Sequence, residues 1–374
     1  MKKHLVIFHP AIAPYRIDFF NSLNEAYKAS FYIEFKNPLE QSFNQDKIKS
    51  RLKFNPRYLK PGFAGIKNLR FDVLGILRRE NPDMVFISEY NLLGLLVVLY
   101  KLITFSRFRI VTICDDNLLM VQTAGFLKRL TRGVLLRFLY AVILADKKAY
   151  MWYENKWGKC CKWIYFPIIQ SEIEFRASLQ EALPLTATYR EKYALQGKKV
   201  ILYVGRLAAV KNVSLLLRAF QKVEQKNKDT ALLIVGDGPL REELHQECVR
   251  LSLENAVVFA GKQEGRELMA HYNLGDLFVL TSRYEPFGTV VNEALLAGCF
   301  VLCSNKAGAS CLIEEGGNGK VFDINDEVTL VDIILQQLEI IPALNKSNNL
   351  KINRMNICYD ELFFSLLQKL MNKN

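Results

Sequence analysis

The sequence predicts an α/β fold built from two parallel-sheet domains in tandem. Strand-like apolar runs alternate with segments of helical period along nearly the whole chain, and the alternation breaks once near the middle before restarting. At 374 residues the chain also exceeds what one hydrophobic core usually supports. Half of the residues are hydrophobic, which excludes a disordered protein. The longest apolar stretches, 92–100 and 138–145, fall well short of the ~20 residues a helix needs to cross a bilayer, so no transmembrane segment is expected.

In the first half, strands are expected at 5–8, 31–35, 84–88, 110–114 and 141–145, with helices at 15–27 and 147–157. Met1, Lys2 and Lys3 before the first apolar run superficially resemble a secretory leader. The run is only four residues long and meets His9 and Pro10, which fits a first β-strand instead. A polar stretch containing Pro184 marks a linker over 167–185. The second half then places strands at 200–204, 231–235, 256–260, 276–281 and 300–304, and a helix at 290–297 stopped by Gly298. Apolar residues at helical spacing over 357–370 read as an amphipathic closing helix. The resulting division is a domain over 1–168, a second over 169–354 and the closing helix over 355–374.

Charge is unevenly distributed. Residues 1–170 carry 27 Lys and Arg against 13 Asp and Glu, whereas the rest carries 23 against 25. Such asymmetry points to an anionic partner for the first half: a membrane surface, a phosphate-bearing substrate or nucleic acid. Residues 47–71 hold eight basic side chains (Lys47, Lys49, Arg51, Lys53, Arg57, Lys60, Lys67, Arg70) and no acidic one, interleaved with Phe54, Tyr58, Phe63 and Phe71. Lys128, Arg129, Arg132 and Arg137 form a second cluster in a largely apolar helical stretch. Both suit a lipid-linked pyrophosphate at a membrane surface, and both also fit the plainer reading of a solvated face. The eight cysteines show no Cys-x-x-Cys pair and several lie in apolar runs, as expected of reduced thiols in a cytoplasmic protein. The four histidines have no ligand spacing and no Asp-x-Asp occurs, so neither a metal site nor a cofactor is expected.

Candidate chemistry concentrates in the second half. Glu285 lies at the carboxyl end of a predicted strand, Pro286, Phe287 and Gly288 turn the chain, and Glu293 follows eight positions after Glu285 on the next helix. Open parallel sheets bind ligands at strand carboxyl ends, helix N-termini attract anions, and a carboxylate can accept from two adjacent sugar hydroxyls. Taken singly, each glutamate also fits an ordinary surface charge. Gly205 and Arg206 end another strand and Lys211 opens the next helix, a pairing suited to a diphosphate or simply solvated. Gly236, Asp237, Gly238 and Pro239 follow a third strand, as a ligand contact or a tight turn. Arg241 occupies the place of the third glycine of a dinucleotide fingerprint, which argues against a nicotinamide or flavin enzyme. Asp115 and Asp116 end a strand of the first half, where they could orient an acceptor or cap the following helix.

In order and spacing over residues 200–320, Gly205-Arg206 with Lys211, Gly236-Asp237-Gly238-Pro239, and Glu285-Pro286-Phe287-Gly288 with Glu293 resemble the retaining glycosyltransferases of family 4, among the glycosyl transferases group 1. The resemblance implies the GT-B fold, two Rossmann-like parallel-sheet domains facing across a cleft. It also implies a nucleotide-sugar donor and a glycan acceptor. Donor contacts would come from Gly205, Arg206, Lys211, Gly236 and Lys262, then from Glu285, Phe287, Gly288, Thr289 and Glu293. Arg206 and Lys211 would hold the diphosphate, Glu285 the transferred sugar, Glu293 the ribose, and Lys262 would lie near the base. Glu285 and either Asp115 or Asp116 would act at the reacting sugar. Many members carry a paired-glycine loop after the first strand. This chain has residues 9–16 there instead, leaving Tyr15 and Arg16 as acceptor-side candidates or as an ordinary helix start.

The leading expectation is a retaining hexosyltransferase acting on a lipid-linked glycan in cell-surface polysaccharide synthesis, peripheral on the inner face of the cytoplasmic membrane and without a nucleic-acid partner. Its alternatives are a GT-B nucleotide-sugar epimerase and a basic nucleic-acid-binding protein. The last accounts for the charge but gives Glu285 and Glu293 no task.

Overall fold

The computed structural model describes residues 2–36, 43–341 and 349–372. The chain divides into two units, the first comprising Met1–Gln170 with Asp360–Asn374 and the second Ser171–Tyr359.

The first unit runs β1 (His4–His9), α1 (Ile17–Ala26), β2 (Lys28–Ile33), α2 (Gln45–Arg51), β3 (Arg57–Tyr58), α3 (Asp72–Glu80) and β4 (Met84–Ser88). It continues through α4 (Leu92–Thr104), β5 (Arg109–Cys114), α5 (Leu118–Gln122), α6 (Phe126–Leu135), β6 (Ala141–Leu144), α7 (Lys147–Trp157) and β7 (Lys162–Tyr165). Its strands form a parallel sheet in the order β3-β2-β1-β4-β5-β6-β7. Central strands such as Met84–Ser88 are buried along their whole length, which explains why they read as unbroken apolar runs. Val6 and Phe8 of β1 join Ile76, Leu77, Val97, Leu135 and Tyr153 from α3, α4, α6 and α7 in one core.

The second unit runs α8 (Glu172–Glu181), α9 (Leu183–Lys192), β8 (Lys199–Val204), α10 (Val213–Lys226), β9 (Thr230–Val235), α11 (Arg241–Arg250) and β10 (Val257–Gly261). Then follow α12 (Arg266–Leu274), β11 (Leu277–Leu280), α13 (Val290–Leu296), β12 (Phe300–Ser304), β13 (Gly319–Phe322) and α14 (Glu327–Ile340). Its parallel sheet has the order β10-β9-β8-β11-β12-β13. In both sheets the chain winds outward from a first strand and then crosses to that strand's other side. Each therefore has a topological switch point, between β1 and β4 in one and β8 and β11 in the other, where doubly wound folds bind ligands.

Several elements differ from the expectation. The strand anticipated at 31–35 begins earlier, because β1 pairs with β2 from His4 opposite Lys28 through His9 opposite Ile33 and draws polar residues into the ladder. β3 and β13 carry too little apolar pattern to be read in advance, and β7 lies outside the expectation although Trp163, Ile164 and Tyr165 are strand formers. The stretch anticipated as a linker is helical from Glu172 onward: Phe175, Leu179 and Ala182 are buried, and Asn273 donates to the Leu179 carbonyl at 2.9 Å. The closing helix, α15 (Tyr359–Met371), belongs to the first unit from Asp360 on. Phe363 meets Phe19 at 6.3 Å and Phe166 at 6.4 Å, and Arg109 donates to the Leu370 carbonyl at 2.9 Å. No helix among the described residues is long and apolar enough to cross a membrane.

Candidate active site

In the second unit, the loops that follow β8 and β11 meet at the carboxyl edge of the sheet. Thr281 donates its hydroxyl to the Lys211 carbonyl at 3.0 Å, and the Arg283 amide donates to the Val210 carbonyl at 2.8 Å. This stitching brings together the Lys211 ammonium and the Glu285 carboxylate, which form an ion pair although 74 positions separate them. Lys211 ends a single 3₁₀ turn, Ala209–Lys211, and α10 starts two residues later with no side chain capping its first turn. Arg206 is exposed and makes no side-chain hydrogen bond or ion pair among the described residues. Lys211 thus stands two residues before the uncapped first turn of α10, a combination that favours an anion, whereas no side-chain hydrogen bond or ion pair ties Arg206 to it among the described residues.

Glu285 is held by its backbone as well. Its amide donates to the Lys306 carbonyl and its carbonyl accepts from the Gly308 amide, each at 3.2 Å, so the loop is tied to the stretch after β12. Phe287 is buried, Ala309 donates to its carbonyl at 2.6 Å, and Gly288 takes φ +96°. That left-handed backbone turns the chain into α13, whose N-cap is Thr289. Glu293 sits in the first turn of α13, where its carboxylate accepts from the Tyr272 hydroxyl at 2.6 Å. Tyr272 lies wholly buried on α12, and burial followed by the Glu293 charge pushes its phenol well above the ordinary value. The tyrosine therefore stays a donor and fixes the carboxylate. Nothing in the local sequence marked it, since a buried tyrosine in a helix reads as core.

Gly236 takes φ +151°, and a Cβ there would stand 1.8 Å from the Gly205 carbonyl oxygen. Gly236 and Gly238, both after β9, thus let that loop pack closely on the backbone that follows β8. Lys262, after β10, is exposed and paired with Glu264 at 2.7 Å.

In the first unit, side chains following β1, β4 and β5 gather at the carboxyl edge of the sheet. Arg16, in the 3₁₀ turn Pro14–Arg16 beside half-buried Tyr15, is buried and paired with Asp115. The Arg16 Nε is also buried and bonds no acceptor among the described residues. Asp116 is 1% exposed and accepts from Lys128 of α6 at 2.8 Å. Neither aspartate caps α5; Asn117 does, accepting from the Met120 amide at 3.0 Å. Lys128 also donates to Glu89 at 3.0 Å. Burial, then repulsion from Asp116, raises the Glu89 carboxyl against the pull of Lys128. For Lys128 itself burial opposes the charge, but the two carboxylates outweigh it and hold the ammonium pKa above its ordinary value. His9 ends β1 with Nδ1 2.9 Å from the Ala11 carbonyl. Its pKa is pushed down to about 4, by burial first and by Arg16 as well, although Asp115 and the Ala11 contact act in the opposite direction. Glu89 escaped the sequence reading although it follows β4 directly, the same position relative to its strand that singled out Asp115.

The basic run 47–71 looks different in place. Arg51 pairs with Asp18 at 3.7 Å, Lys53 with Glu25 at 2.8 Å, Arg57 with Glu80 at 3.1 Å, and buried Arg70 with Glu34 at 3.3 Å. At least four of its eight cations are therefore paired with acids distant in sequence.

Residues 186–353, nearly all of the second unit, match the profile of the family described as glycosyl transferases group 1. The chain carries a group 1 glycosyltransferase domain. Among curated proteins, the chain is 35% identical over 159 residues to an uncharacterised glycosyltransferase of Methanocaldococcus jannaschii, covering 42% of this chain and 40% of that protein. Identity is 33% over 147 residues with a GDP-mannose-dependent alpha-(1-6)-phosphatidylinositol monomannoside mannosyltransferase of Mycolicibacterium smegmatis, covering 37% and 38%. The chain thus spans about two fifths of the length of these relatives. Among solved structures, Anabaena HepE, crystallised in complex with UDP, superposes with a TM-score of 0.73 at 18% identity over 99% of both chains. A sucrose-phosphate synthase from Thermosynechococcus elongatus gives 0.68 at 16% over 98% of each. These likenesses show the fold, which is GT-B, and the group 1 domain is its second parallel-sheet unit.

Proposed function

We propose that the chain is a retaining hexosyltransferase that moves a sugar from a nucleotide-sugar donor to a lipid-linked glycan. The observation that carries the proposal is the Lys211–Glu285 pair, formed at the sheet's switch point inside a group 1 glycosyltransferase domain. On this reading Arg206, Lys211 and the first turn of α10 take the donor diphosphate. Glu285 accepts from hydroxyls of the sugar, Glu293 from those of the ribose, Lys262 lies near the base, and the backbone of Phe287, Gly288 and Thr289 borders the sugar and phosphate.

When the bond from the anomeric carbon to the diphosphate oxygen breaks, negative charge grows on the leaving group and positive charge on the sugar ring. Lys211 and Arg206 stabilise the first and Glu285 the second. The acceptor hydroxyl bonds to the anomeric carbon from the face the diphosphate leaves, and its proton passes to the departing phosphate oxygen. Configuration is thereby retained. Asp115 and Asp116, with Tyr15 and Arg16, orient the acceptor, Arg16 holding Asp115 in place through their ion pair. A lipid-linked acceptor is supported by the relatives, one named as a phosphatidylinositol monomannoside mannosyltransferase and another, from Streptococcus pneumoniae, as an alpha-monoglucosyldiacylglycerol synthase.

The test is turnover of a panel of UDP- and GDP-sugars with a membrane lipid extract as acceptor. Glu285→Gln keeps the size of the side chain and removes its charge. It is expected to lower kcat about 100-fold, in line with loss of one electrostatic transition-state contact, while the thermal midpoint changes little. A variant as active as the wild type would remove Glu285 from the reaction, and an inverted product would refute the proposed stereochemistry.

A further inference from the structure

We infer that α6 is a docking element for an anionic lipid bilayer. Most apolar residues of the helix face outward, unlike those of an ordinary surface helix, and among them Leu135 alone joins the core. Its outward arc carries Phe126 at 81% exposure, Leu127 at 66%, Leu130 at 52% and Val134 at 37%, with Leu119 of α5 at 54% nearby in sequence. Its inward arc carries cations, each with partners: Lys128 joins Asp116 and Glu89, and Arg132 reaches the Val121 carbonyl at 3.3 Å and the Tyr153 hydroxyl at 3.2 Å. Since the inward charges are satisfied, the outward apolar residues are not there for want of a better register.

Charge selects the occupant. No acidic residue occurs between Asn117 and Ala145, and the exposed cations on the outward side are Arg129 and Arg137. Apolar side chains rimmed by cations fit the boundary between acyl chains and acidic headgroups. A second copy packed symmetrically on the same face would instead set these arginines against each other. In the basic run 47–71, by contrast, at least four of the eight cations pair with acids of the same unit. The assignment rests on the reading of a lipid-linked acceptor. Through Lys128 the docking helix is fastened to Asp116, so a saccharide on a lipid in that surface would be presented beside the residues assigned to it.

Flotation of the full chain tests this, with vesicles of phosphatidylcholine alone and of phosphatidylcholine mixed with phosphatidylglycerol. The wild type is expected to float with the mixed vesicles at low salt and to be released as salt rises. Arg129→Gln and Arg137→Gln should each weaken binding about fivefold. The double change Phe126→Asp and Leu130→Asp should abolish flotation and leave nucleoside diphosphate binding, measured by calorimetry with UDP and GDP, at its wild-type level. Absence of flotation by the wild type would overturn the inference, and so would flotation of the double variant. Dissociation of a dimer by the double change with flotation intact would assign the face to self-association and equally overturn it. Failure of the wild type to bind any nucleotide would sink the transferase reading without touching the vesicle result.

Discussion

His9 is the residue whose environment makes the sharpest demand. Burial holds its pKa near 4 against an ordinary value of 6.5, so between those values the unfolded chain binds more protons than the folded one. The stabilisation from keeping the ring neutral is therefore complete above pH 6.5 and is lost as pH falls toward 4. Unfolding in urea should show the first unit weaker by about 2 kcal/mol at about pH 5 than at pH 7, and His9→Gln should remove that difference. Equal pH slopes for the two proteins would mean that the ring is not held neutral. Around it, the pairing of Arg16 with Asp115 and of Lys128 with Asp116 and Glu89 could not be read in the sequence. The residues come from loops after different strands, and no local pattern records which loops share a sheet edge. Asp115 and Asp116 were visible as strand-end carboxylates, but their partners were not.

The elements were legible where burial on both faces wrote them as unbroken apolar runs. Met84–Ser88 and Phe300–Ser304 fall where the pattern put them, and Lys147–Trp157 matches the expected helix end for end. Edge strands were hidden: Arg57–Tyr58 is exposed and polar, and its pairing comes from β2 alone. The glycine motif after β9 was open in the sequence to a ligand contact or a tight turn, and in place it packs closely on the backbone that follows β8. Gly236→Ala would drive a Cβ into the Gly205 carbonyl oxygen at 1.8 Å, backbone against backbone. It should destabilise the second unit by about 3 kcal/mol in urea unfolding. An unchanged midpoint would show that the loop after β9 moves freely of the loop after β8.

At the scale of the molecule, two doubly wound sheets share one winding order, and each collects charged side chains at its switch point. The second brings Lys211 and Glu285 together in a domain that matches the group 1 glycosyltransferase profile, and the first gathers paired acids and bases beside an outward apolar helix. The tandem architecture followed from strand–helix alternation and chain length, whereas the return of α15 to the first unit was not legible, because its apolar stripe fits any sheet face. The account turns on whether the second unit's switch point is built for a nucleoside diphosphate. Calorimetric titration of the full chain with UDP and GDP, repeated on Lys211→Ala, tests this directly. One nucleotide should bind the wild type, and the variant should bind it tenfold to 100-fold more weakly, about what loss of one charge-assisted contact costs. Wild-type affinity in Lys211→Ala would contradict the account.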